Sequence, residues 1–166
     1  APMNRLLEGD VGSGKTVVAA MVAHHVADKK MQTVIMAPTE ILASQHYKSL
    51  KKLLKQDLNL AILTRTISET SDDSLQKTSV AGRKKELKEK ISLGEVDVVI
   101  GTHALLTDDT TFKNLAFVVI DEQHRFGVEQ RKKLRQKSGT EDIFPHFLSM
   151  TATPIPRSFA LVVYGD

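Results

Sequence analysis

The string Gly9-Asp10-Val11-Gly12-Ser13-Gly14-Lys15-Thr16 limits the folds open to this chain more than any other feature. It fits G-x-x-x-x-G-K-[ST], a turn that works only between a strand and a helix. Gly12 and Gly14 let the backbone turn without Cβ clashes, so successive N–H groups can point at phosphate oxygens. These groups open a helix whose N-terminal dipole favours an anion. The flanks agree. Arg5 to Glu8 reads as a short strand, and Thr16 to Asp28 as a helix, apolar nearly all round and therefore expected to be buried. Gly9, Gly12, Ser13 and Gly14 would cradle the phosphates of ATP, Lys15 would reach the β- and γ-phosphates, and the Thr16 hydroxyl would ligate Mg²⁺.

The rest of the chain continues the alternation. Strands are expected at Thr33–Ala37, Leu60–Leu63, Asp97–Ile100, Phe117–Ile120 and Phe147–Met150. Helices are expected at Glu40–Lys55, with Leu42, Leu50, Leu53 and Leu54 facing inward, at Gly82–Leu93 on a seam of Leu87 and Ile91, and at Glu129–Lys137. Thr66 to Thr78, rich in Ser, Thr and Asp, reads as a flexible loop. A Pro-interrupted helix start and the apolar run Phe159–Tyr164 close the chain. The near-continuous apolar strands suit burial on both faces. Together these signals predict an α/β fold, a mainly parallel sheet between two layers of helices, with ligands at the carboxyl ends of the strands.

A second constellation falls at such an end. Val118-Val119-Ile120 runs into Asp121-Glu122-Gln123-His124. A carboxylate at Asp121 would hold Mg²⁺, through its water shell because Mg²⁺ dehydrates reluctantly. Glu122 would orient and deprotonate an attacking water. His24 and His25 have no metal-binding partners in the pattern and read as ordinary helix residues.

The two nucleotide motifs, with Ala37-Pro38-Thr39-Glu40, Gly101-Thr102-His103-Ala104 and Thr151-Ala152-Thr153-Pro154-Ile155-Pro156-Arg157, resemble superfamily 2 helicases of the DExH type. The strings Arg5–Thr16, Asp121–Val128 and Thr151–Arg157 resemble the RecG-type helicases, which remodel branched DNA. Transcription-repair coupling factors are similar in the His-Arg-Phe-Gly and Thr-Ala-Thr-Pro-Ile-Pro-Arg strings but tend to carry Glu in place of Gln123. The resemblance extends from Pro2 to Asp166 and implies the first of two RecA-like motor domains, a P-loop NTPase three-layer fold. It implies an ATP-dependent DNA helicase, bacterial and cytoplasmic, acting on branched or forked DNA in recombination and repair, with a second RecA-like domain in cis and no membrane. It also implies that the strand leading into Thr151 lies between the phosphate-loop strand and the Asp121 strand. Gln123, His124, Thr151, Thr153 and Arg157 would then relay nucleotide state towards DNA; Arg125 and Phe126 would couple the ATP site to DNA or to the second motor domain, a loop anchored by a buried Phe being the plainer alternative. Thr153 before Pro154 is also a good helix N-cap, compatible with that role.

Thr39, Thr102 and His103 stand on the implied DNA side, where hydroxyls and N–H groups bind phosphates without reading sequence. An N-cap for Thr39 and a packed loop position for His103 are the plainer alternatives. The family usually carries Leu-Thr-Gly-Ser after its third strand; here Leu63-Thr64-Arg65-Thr66 stands instead, and Arg65 offers a different phosphate contact. Two basic runs, Arg83–Lys90 and Arg131–Lys137, read first as solvated helix faces and second as DNA grip.

Composition excludes other classes. With no cysteine there is no disulfide framework, thiolate zinc site or cysteine nucleophile. The longest wholly apolar run, Val17–Ala23, is far too short to span a bilayer. A net charge of +3 barely hints at nucleic acid, and with aromatics at 5% a base-stacking platform is not expected. The chain opens on Ala1-Pro2 without Met, so a piece cut from a longer protein is expected, lacking the adenine-reading Gln motif, the wedge domain and the arginine fingers. Alone it should be nearly inactive. The rival reading is a P-loop nucleotide switch without DNA activity.

Overall fold

The computed structural model describes residues 4–8, 14–107, 109–121, 127–139 and 144–151; at 4–8, 14, 107 and 151 it describes the backbone alone. In chain order the elements are β1 (Asn4–Glu8), α1 (Gly14–Asp28), β2 (Gln32–Met36), α2 (Glu40–Leu54), β3 (Leu60–Leu63) and β4 (Ser68–Thr70). There follow α3 (Val80–Ser92), β5 (Val98–Gly101), α4 (Ala104–Thr107), β6 (Leu115–Asp121), α5 (Val128–Gln136) and β7 (His146–Thr151). They form a seven-stranded sheet in the order β1-β7-β6-β2-β5-β3-β4, parallel except for β4. The strand leading into Thr151 thus lies between the β1 and Asp121 strands, as the resemblance implies.

Alternation along each strand divides the core in two. Ile35, Ile62, Ile100, Val119, Leu148 and Met150 face α1 and α2. Val34, Met36, Leu63, Val99, Val118, Ile120 and Phe147 face α3, α4 and α5. Burial of both faces explains the near-continuous apolar strands. Each large aliphatic or aromatic side chain buried here contributes roughly 1.5–3 kcal/mol.

Three expectations need correction, and one short helix is unforeseen. Helix α1 buries Ala19, Ala20 and Ala23 fully and packs Val22 and Val26 only partly against the core, while Val17, Val18 and Met21 are 45%, 38% and 66% exposed. Alanines allow close approach; Val17, Val18 and Met21 lie on the outward flank. On α2 the buried stripe is Ala43, Tyr47, Leu50 and Leu54, spaced 4, 3, 4, so Leu53 falls off it and is exposed. The 66–78 segment is not simply a loop. Its Ser68–Thr70 pairs antiparallel with β3, the Ser71 N–H donates to Leu60 O, and the Glu86 carboxylate accepts from the Gln76 and Lys77 amides. The short helix α4 follows Gly101 without an advance signal. Gly101 is required there because a Cβ would collide with the Leu63 carbonyl and the Leu105 side chain.

Candidate nucleotide and nucleic-acid site

The strands that lead into the motifs end together at one end of the sheet. Glu8 is in register with Thr151, and Met150 with Asp121, so β1, β7 and β6 end side by side. With strands about 4.8 Å apart, the ends of β1 and β6 lie about 10 Å from each other. Helix α1 starts at Gly14, the position the phosphate-loop pattern demands. Lys15 and Thr16 on its first turn are both partly exposed. Asp121 has the parity of Phe117 and Val119, which places its carboxylate on the α1–α2 side of the sheet. A carboxylate and a hydroxyl are hard oxygen donors, the set that suits Mg²⁺. The residues described therefore fit a magnesium–nucleotide group. Gly9, Gly12, Ser13, Glu122, Gln123, His124, Arg125, Phe126, Thr153 and Arg157 lie outside the described residues, and Thr151 is placed by its backbone alone.

The nucleic-acid candidates belong to the other half of the same edge. Met36, Gly101 and Leu63 are in mutual register at the ends of β2, β5 and β3. Thr39, Thr102 and Thr64–Thr66 follow directly. Thr39 is the N-cap of α2: its backbone is extended, and its Oγ1 accepts the Leu42 N–H at 3.2 Å. Thr102 is buried and His103 exposed. The turn after β3 is ordered by Thr64, whose Oγ1 accepts from the Thr66 and Ile67 amides at 3.3 and 3.0 Å. Glu40 clasps the same turn, accepting the Thr66 N–H at 3.0 Å and its hydroxyl at 2.9 and 3.0 Å. Arg65 is left exposed at the turn's apex. Hydrogen bonds from the Thr64 and Thr66 hydroxyls, then from the Thr66 amide, hold the Glu40 carboxyl below its ordinary value of 4.5.

A carboxylate whose pKa is lowered on folding contributes fully above its unfolded value, and that contribution is lost as pH falls through the folded one. The clasp should therefore loosen below pH 4.5. The Thr66 amide resonance is expected to titrate with Glu40 there, and Glu40→Gln to abolish the titration. A Thr66 amide indifferent to pH over that window would contradict the clasp.

The basic runs are largely committed to the protein itself. The Arg83 guanidinium donates to Ser68 O at 3.3 and 3.2 Å. Lys88 pairs with Asp109 at 2.7 Å and Lys90 with Glu95 at 3.8 Å. Arg131 and Arg135 lie 5.4 and 5.7 Å from the Phe147 ring centre, a cation–π arrangement. Lys137 donates to Thr110 O. His24 pairs with Asp28 at 3.6 Å. Among the described residues no group of three or more His, Asp or Glu could hold a metal, and no helix is long and apolar enough to cross a membrane.

Sequence reasoning missed His46. Its Nε2 lies 3.1 Å from Asp121 Oδ2, with both side chains largely buried. A histidine flanking the α2 stripe gives no signal of a partner 75 residues away.

The DEAD/DEAH box helicase model matches residues 2–162. The ATP-dependent DNA helicases RecG of Aquifex aeolicus and Bacillus subtilis are 50% and 51% identical over 166 residues, 99% of this chain and 19% and 22% of theirs. The chain thus spans about a fifth of the length of these curated relatives. A structure of RecG bound to a three-way DNA junction superposes with a TM-score of 0.74 at 42% identity, over 99% of this chain and 20% of that one. Domain 2 of the Mss116p DEAD-box helicase, bound to an RNA duplex, shares the fold at 10% identity and a TM-score of 0.66, over 98% of this chain and 68% of that one. By its motifs, its RecA-like sheet order and the match over residues 2–162, the chain belongs to the DEAD/DEAH box helicase family.

Proposed function

We propose that this chain is the first motor domain of a RecG-like helicase that couples ATP hydrolysis to branch migration and remodelling of forked or junction DNA. One observation carries the reading. The phosphate-loop helix and the Asp121 carboxylate stand at the same sheet edge as Thr39, Thr102 and the Thr64–Thr66 turn, in a chain 50% and 51% identical to RecG helicases. Lys15 would meet the β- and γ-phosphates, and Thr16 and Asp121 would hold Mg²⁺, which neutralises charge building on the phosphates. Glu122 would take the proton of the attacking water. Thr39, Thr102, His103 and Arg65 would meet the DNA backbone.

ATP turnover by the full-length protein is expected to rise sharply on adding forked DNA. The 166 residues alone should be nearly inactive, because arginine fingers from a second motor domain are worth ~10³ or more in rate. Full-length protein whose turnover ignores forked DNA would favour a nucleotide switch instead.

A further inference from the structure

The Asp121 carboxylate is gripped from a helix that belongs to the other half of the site. Helix α2 packs against α1, β3 and β5, and its N-terminus carries Thr39 and Glu40 beside the β3 turn. From its second turn His46 reaches back to the end of β6, where Nε2 meets Asp121 Oδ2 at 3.1 Å. The strand between them, β2, leads into Ala37, a small residue on the same face of the sheet. His46 is 19% exposed and Asp121 15%, so the contact is shielded from competing water. A carboxylate only accepts, so the hydrogen bond requires the proton on Nε2. Holding Oδ2 restricts rotation about the Cβ–Cγ bond and narrows the directions in which Oδ1 can point.

We propose that His46 is a positioning residue for Asp121: its Nε2–H sets the plane of the carboxylate that receives the hydrated magnesium of the nucleotide. The proposal rests on the motor-domain reading above. Partners that orient ligating carboxylates are commonly worth about 10- to 100-fold in metal affinity or activity.

The test compares full-length wild-type protein with His46→Ala and His46→Gln, whose side-chain amide can supply an N–H at similar reach. Three quantities are read: magnesium half-saturation of forked-DNA-stimulated ATP turnover, affinity for Mn²⁺-nucleotide by electron paramagnetic resonance, and the thermal unfolding midpoint. His46→Ala should weaken both metal readouts by about 10-fold or more. His46→Gln should recover most of that loss, and neither should move the midpoint appreciably. Wild-type metal dependence in His46→Ala would overturn the proposal. So would equal losses in both variants with a lowered midpoint, the mark of a packing role. Wild-type protein lacking DNA-stimulated turnover would overturn the motor reading itself, whereas normal wild-type turnover with an indifferent His46→Ala overturns the positioning role alone.

Discussion

Glu122→Gln in the full-length protein is expected to cut ATP turnover by about 10²–10⁴, the usual worth of a positioned general base, while sparing nucleotide binding. Gln matches Glu in shape and retains an acceptor oxygen but cannot take a proton from water. Glu122 directly follows Asp121, which closes β6 at the nucleotide edge. Single-turnover hydrolysis with forked DNA, alongside nucleotide titration, separates chemistry from affinity. Lys15→Ala provides the contrast: it would remove the proposed phosphate contact and should weaken binding as well. Robust hydrolysis by Glu122→Gln would remove Glu122 from the base role.

The second large effect concerns stability. Gln32→Leu is expected to destabilise the chain by about 2 kcal/mol or more, since each buried backbone group left without a partner costs ~1–3 kcal/mol, although Ile91 O keeps the Gly94 N–H. Gln32 is 2% exposed, and its amide is fully used. Nε2 donates to Ile91 O at 2.9 Å and Val96 O at 3.0 Å, while Oε1 accepts from the Lys113 and Asn114 amides at 2.9 and 3.1 Å. One side chain thereby joins the end of α3, the approach to β5 and the approach to β6. Against a typical total of 5–15 kcal/mol, the loss is large. Urea denaturation of the purified chain measures it, and a change below ~1 kcal/mol would mean that water or relaxed backbone replaces the amide. Gln32→Glu keeps the acceptors but loses both donors, so it should also destabilise.

Neither Gln32 nor His46 stands out in the sequence, whereas Lys15, Thr16 and Asp121 do. Phosphate and metal chemistry demands particular residue types at short spacing, so those motifs are legible one residue at a time. Strand and helix positions are nearly as legible, because burial on one or two faces leaves a period in the chain: β3 was expected at Leu60–Leu63 and is found there. Short polar β4 escapes that signal, since only pairing with β3 makes it a strand. Tyr47, not the expected Leu53, lies on the buried stripe of α2, because the 4-3-4 spacing and not residue type decides which side chains face inward.

By itself the sequence determined the α/β alternation, the helix that follows the phosphate-loop motif, and the acidic end of a buried strand. Each is a local pattern written by backbone geometry and ligand chemistry. Tertiary structure alone decided that α1 leaves Met21 in solvent, that Glu40 clasps the turn under Arg65, and that His46 holds Asp121. These depend on which surfaces meet across tens of residues, and a side chain's type does not specify its distant partner.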